Sequence, residues 1–157
     1  MVTKSSPAKS GLEVKLKRVK KVGIDAMCFI YQFQAHLLFG SLTSIIFSRM
    51  EDKKLHGCTS VLSLAEILSY PKLQLDRLSW EEERRKFWQT PNLKVVDIDS
   101  KICEAASILK VKYSLTLPDA IQVTTAIFSK AEGFVTNDEK FRRVKELPVI
   151  LLGDYIK

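Results

Sequence analysis

The sequence predicts a three-layer α/β/α fold with a mostly parallel central sheet, and three observations carry that prediction. Short apolar stretches, namely Val22-Gly23-Ile24 and residues 56–60, 93–97, 133–136 and 149–152, alternate with longer segments of helical spacing. Helices interposed between strands imply parallel pairing and helices on both faces of the sheet. The length of 157 residues, with 46% apolar and 27% charged residues, suits one domain that buries roughly two thirds of its unfolded surface.

Taken in order, residues 1–11 are rich in Ser, Pro, Lys and Gly and are expected to be disordered. Residues 1–18 as a whole read as a basic, flexible N-terminal arm ahead of a domain over residues 19–157. Apolar and charged residues alternate over 12–17, a pattern that starts the first strand early. Val22-Gly23-Ile24-Asp25 then reads as a buried central strand ending on an acid, with a helix directly after it. Residues 29–50 have helical spacing (Phe33, Leu37, Leu38, Ser41, Ile45, Ile46), with Gly40 placed to divide them into two helices. Glu51-Asp52-Lys53-Lys54 is a polar turn.

His56-Gly57-Cys58-Thr59-Ser60 reads as a short strand. The helix predicted over 61–69 is apolar on nearly every side and is expected to be buried, with Glu66 in its middle. Tyr70-Pro71 ends it, and residues 72–90 hold a second helical pair. There Ser79 and Glu82 have capping-box spacing, Glu81–Arg85 and Glu82–Lys86 have the favourable i,i+4 order, and Trp80, Phe87 and Trp88 are expected in the core. Residues 93–97 form a strand and 102–113 a helix with Ala105, Ala106 and Leu109 inward. Leu117-Pro118-Asp119 opens the next helix with proline in its first turn. Residues 133–136 form a strand delivering Asn137-Asp138, followed by a short helix over 139–144 and a last strand over 149–152.

Composition excludes several functions. No apolar run approaches the roughly 18 residues of a membrane span, and Asp25 interrupts the first candidate signal-peptide core. The expectation is a cytoplasmic protein without a membrane partner. Cys28, Cys58 and Cys103 show no metal or redox spacing and read as reduced core residues. His36 and His56 are too few for a histidine-based triad or zinc site, and no Gly-rich phosphate loop is present. The net charge of +7 is concentrated: residues 1–21 hold seven basic groups against Glu13, whereas the other 136 residues hold 18 basic and 17 acidic groups. Such a segment either touches phosphates or serves as a solubilising tail. Lys17, Arg18, Lys20 and Lys110 are the candidate RNA contacts.

Four acids are placed to meet at the end of the first strand: Asp25, Glu66, Asp119 and Asp138. Each has a plain structural role open to it, as a cap or a turn residue, but Glu66 inside a buried helix requires a partner. At about 4 Å and an effective dielectric near 20, each carboxylate pair repels by roughly 4 kcal/mol. Convergence therefore demands protonation or a hard divalent cation, and two such ions clamp a phosphodiester. Asp97 and Asp99 read as strand-end and helix-cap residues outside the group.

The order and setting of these acids resemble the PIN domain, and specifically the VapC-like ribonucleases of toxin–antitoxin systems. The resemblance rests on VGIDAMCFIYQF, TSVLSLAEIL, YSLTLPDAIQVTTAI and FVTNDEKF, and covers residues 20–152. It implies a PIN-like nuclease domain whose catalytic, metal-binding pocket is Asp25, Glu66, Asp119 and Asp138, supported by Ser63, Thr136 and Asn137. Ala26 and Met27 stand where family members often carry a small polar residue and an asparagine. It further implies Mg²⁺- or Mn²⁺-dependent hydrolysis of single-stranded RNA, a small antitoxin partner and a homodimer. The alternative is a PIN-like module that binds RNA through the basic arm without cleaving it.

Overall fold

In the computed structural model, which describes residues 7–156, β1 (Lys21–Ile24) is the middle strand of a five-stranded sheet. Its order is β3 (Leu93–Val96), β2 (His56–Ser60), β1, β4 (Phe134–Thr136), β5 (Val149–Leu151), and every neighbouring pair is parallel. The chain builds outward from β1 through β2 to β3, then returns to the other side of β1 for β4 and β5. Connections therefore diverge beyond the carboxyl ends of β1 and β4, where open α/β sheets leave a crevice for ligands.

The helices are α1 (Pro7–Lys17), α2 (Ala26–Phe33), α3 (Gly40–Glu51), α4 (Leu62–Leu68), α5 (Pro71–Gln74), α6 (Arg77–Trp88), α7 (Ser100–Tyr113) and α8 (Leu117–Phe128). Alternate strand residues face two cores. Val22, Ile24, Val135 and Ile150 pack with Leu12, Leu16, Phe29, Ile46 and Phe87 on one side. Phe134 packs with Ala106, Leu109, Ala120, Val123 and Phe141 on the other. Gly23 meets α8 directly. A Cβ at Gly23 would lie 2.4 Å from the Ala126 Cβ and 2.9 Å from a Phe134 ring carbon, so only glycine lets α8 sit this close to β1.

Several expectations need correction. Residues 7–17 of the expected flexible arm form a helix, and no strand begins at Leu12; residues 1–6 lie outside the described residues. A strand would have buried residues 12, 14 and 16 together. The helix instead buries Leu12 and Leu16 completely and leaves Val14 half exposed, as the 3.6-residue period requires. Gly40 opens α3, and the break between the two helices falls before it. Asp76, not Ser79, caps α6: its carboxylate accepts from the Leu78 N–H at 3.1 Å and from the Ser79 hydroxyl at 2.6 Å. Glu81 pairs with Arg77 rather than Arg85. Only Phe87 of the three aromatic residues is core; Trp80 is half-buried and Trp88 half exposed. The α4 helix is half-buried rather than enclosed, with Ser63, Ile67 and Leu68 inward and Ala65 exposed. Cys28 and Cys58 are buried, but Cys103 is on the surface of α7.

Candidate active site

Asp25 follows the last residue of β1 and occupies both roles open to it. It is the N-cap of α2, with Oδ1 accepting from the Ala26 N–H at 2.8 Å, and it is an acid at the carboxyl end of the central strand. Its Oδ2 accepts from Thr136 Oγ1 at 2.7 Å, across to the end of β4. Only 8% of the residue is exposed. Burial pushes its carboxyl up to about 7, against the pull of Thr136, and the nearby charges of Glu66 and Asp119 push in the same direction.

Glu66 reaches this crevice from α4, and burial followed by repulsion from Asp119 raises its carboxyl while a contact from Gln122 opposes the rise. Asp119 stands in the first turn of α8, behind the Thr116 cap, whose hydroxyl accepts from the Asp119 N–H at 3.4 Å. The approach of α8 to Gly23 carries this turn to the end of β1. Three of the four predicted acids thus come near enough to disfavour one another's ionisation. Asp138 holds a different position. It caps the short 3-10 helix Glu139–Arg143, accepting from the Lys140 N–H at 2.9 Å, with Lys140 Nζ 3.8 Å away. Its link to Asp25 is Thr136, whose hydroxyl donates to Asp25 and accepts from the Asp138 N–H at 3.1 Å. Thr136 therefore meets its expected place beside the acids. Asn137 turns away, donating to Tyr31 OH at 3.2 Å.

A family model for the PIN domain matches residues 24–147, from the last residue of β1 to the approach to β5. The chain belongs to the PIN domain family. Members of that family are generally hydrolytic nucleases that typically use a divalent metal. Among solved structures, this PIN domain is similar to a chain of VapBC2 from Rickettsia felis bound to a DNA fragment from its promoter, at 17% identity and a TM-score of 0.66; the match covers 83% of this chain and 98% of that one. It is also similar to a chain of a toxin–antitoxin complex from Klebsiella pneumoniae, at 19% identity and a TM-score of 0.58, covering 85% of this chain and 98% of that one. At these identities the likeness is one of fold. No curated protein matches the sequence significantly.

The donor set of this PIN domain is all carboxylate oxygen, which suits a hard divalent cation and not zinc. The raised carboxyl of Asp25 marks a surplus of negative charge that a cation would balance. The acids do not form a ready-made cage: among the described residues no three of them stand close enough to share one ion. Like charges keep that distance when nothing stands between them.

The basic residues lie elsewhere. Lys17, Arg18 and Lys20 precede β1, at the amino end of the sheet and away from the acids. Lys110 is exposed near the end of α7, and Lys112 pairs with Glu146 at 2.7 Å. Asp99 caps α7 as expected, accepting from the Ile102 N–H at 2.9 Å. Two buried polar residues of the crevice were not anticipated, Thr59 and Gln122. Thr59 lies in β2, bonded to the Ile24 carbonyl at 2.7 Å and to Ser63 Oγ at 2.6 Å. Gln122 donates to Ser63 Oγ at 2.8 Å. The available signal was an amide on an apolar helix, three residues after Asp119 and so on the same face.

Proposed function

We propose that this PIN domain is a divalent-metal-dependent endoribonuclease that hydrolyses phosphodiester bonds of single-stranded RNA, and that it is the toxin of a type II toxin–antitoxin pair. The observation that supports the reaction is the meeting of Asp25, Glu66 and Asp119 at the divergence point of a parallel sheet, with Asp25 held up to about 7. Asp25, Asp119 and Asp138 would hold Mg²⁺ or Mn²⁺, with Glu66 as a further ligand or as the group that orients the attacking water. When bound, the ion supplies a water of lowered pKa and neutralises charge that builds on the phosphate.

The chain's own residues define the rest. Thr136 keeps one oxygen of Asp25 directed at β4, and Ala26 keeps the other at the helix terminus, so Asp25 has a single rotamer. The Ser63 hydroxyl anchors α4 to β2 through Thr59, which fixes the turn of helix carrying Glu66. The toxin assignment is supported by the two similar structures, both from toxin–antitoxin complexes. A small antitoxin and a homodimer follow from that assignment. No helix among the described residues is long and apolar enough to cross a membrane.

The deciding experiment is cleavage of single-stranded RNA by the purified protein with Mn²⁺, with excess EDTA, and as Asp25→Asn. Cleavage is expected only in the first condition. Binding without cleavage in Mn²⁺, lost with salt rather than chelator, would instead establish the RNA-binding reading.

A further inference from the structure

A line of hydrogen bonds runs from β1 to α8, and chemistry forces its direction. It starts at the Ile24 carbonyl, which only accepts. Thr59 Oγ1 donates its single proton there at 2.7 Å. Thr59 has no proton left for Ser63 Oγ at 2.6 Å, so Ser63 is the donor in that pair. The Ser63 oxygen can then only accept from Gln122, at 2.8 Å. The amide of Gln122 is oriented as a result: Nε2 faces Ser63, and its second N–H is left for the Glu66 carboxylate, a looser contact. Its Oε1 is buried and has no partner among the described residues.

That unpaired oxygen is informative. Gln122 is 2% exposed, among Ala120, Val123 and Ala126, where a methionine of similar size would pack without leaving an acceptor unmet. Packing therefore does not account for an amide at this position. Donation to Glu66 does, because no other charged group is bonded to this relay.

We infer that Gln122 is a positioning residue of the acidic crevice, holding the Glu66 carboxylate in one rotamer beside Asp119 and Asp25 through an amide that the Ile24–Thr59–Ser63 relay orients. The relay begins on the residue before Asp25 and ends on Glu66, so it sets two acids from different elements in mutual register. The catalytic part of the inference rests on the metal-dependent nuclease reading above; the hydrogen-bonding part does not. Outer partners of metal ligands commonly change metal affinity or activity by about 10–100-fold.

The test compares wild type with Gln122→Met, which keeps length and removes the amide. The variant should melt at or above the wild-type temperature. Its Mn²⁺ affinity, measured by calorimetry without RNA, should fall about 10-fold, and kcat for RNA cleavage about 10–100-fold with KM unchanged. Values within twofold of wild type, or losses that merely track a lowered melting temperature, would overturn the inference. A second readout uses the metal-free protein. The Gln122 side-chain amide should show two slowly exchanging NMR signals, and Glu66→Ala should release one of them. Signals unchanged by Glu66→Ala would also overturn it. A wild-type protein that cleaves no RNA would sink the nuclease reading, while the amide spectrum would still decide the role of Gln122.

Discussion

At the carboxyl end of β1, Asp25 is 8% exposed, bonded to Thr136 and pushed up to about 7; at the amino end, Lys17, Arg18 and Lys20 stand exposed in solvent. Roughly 13 Å of strand, four residues at about 3.3 Å each, separates the two ends. The basic residues cluster near the ends of α1, α3 and α8, where positive charge complements the helix dipole at little cost. The acids do the reverse. Burial and mutual repulsion oppose their ionisation, and a single hydroxyl is the main offset at Asp25. Fold stability accounts for the first arrangement and not for the second. An uncompensated cluster points to function more strongly than a larger but solvated charge.

Four predictions test this contrast, from the largest effect down. Asp25→Asn should lower Mn²⁺-dependent RNA cleavage by about 10³-fold, equivalent to roughly 4 kcal/mol in the barrier. Its circular dichroism should match wild type, since the carboxamide oxygen of the substituted side chain can still accept from Thr136. Retention of a tenth of the activity would place the chemistry elsewhere.

The second prediction concerns pH. The folded-state carboxyl of Asp25, near 7, lies above its unfolded value of about 3.9, so the folded chain holds the proton to higher pH. The penalty is absent below about pH 4, grows as pH rises, and is complete above pH 7, reaching the order of 4 kcal/mol. In EDTA, urea melts at pH 4.5 and 7.5 should show wild type losing stability relative to Asp25→Asn as pH rises, with Mn²⁺ restoring it at pH 7.5. Parallel pH profiles for the two proteins would refute this.

Third, Leu16→Ala should destabilise the fold by about 2–5 kcal/mol, because Leu16 is fully buried on α1 within the main core. A change under about 0.5 kcal/mol in denaturant melts would show that α1 is an appendage. The smallest effect is expected for Lys17→Ala, Arg18→Ala and Lys20→Ala combined. Cleavage at physiological salt should change by less than about twofold, since exposed charges at a distance are screened. A tenfold loss would show that RNA reaches both ends of the sheet.

Much of this was legible beforehand because it depends on local pattern. The five strands lie within a residue or two of their expected positions, since each is a short apolar run bounded by polar turns. Pro118 and the acid behind it marked the start of α8 for steric reasons that do not depend on the rest of the chain. The errors fall where two periods agree or where burial depends on partners. Leu12 and Leu16 are four apart, a spacing that suits a strand and a helix alike, and only their docking among the core residues decides it. Trp88 and Cys103 are apolar by type yet exposed, because no element covers those faces of α6 and α7.

The sequence by itself determined an α/β chain with one acid at the end of its central strand and three more acids at turns and helix starts. Only the tertiary structure decided which of them meet. Gly23 admits α8 to contact with β1 and so brings Asp119 to Asp25, whereas Asp138 stays at its cap. The relay from Ile24 to Gln122 was equally unreadable, because its members are 35 and 59 residues apart in sequence and only the folded chain makes them neighbours.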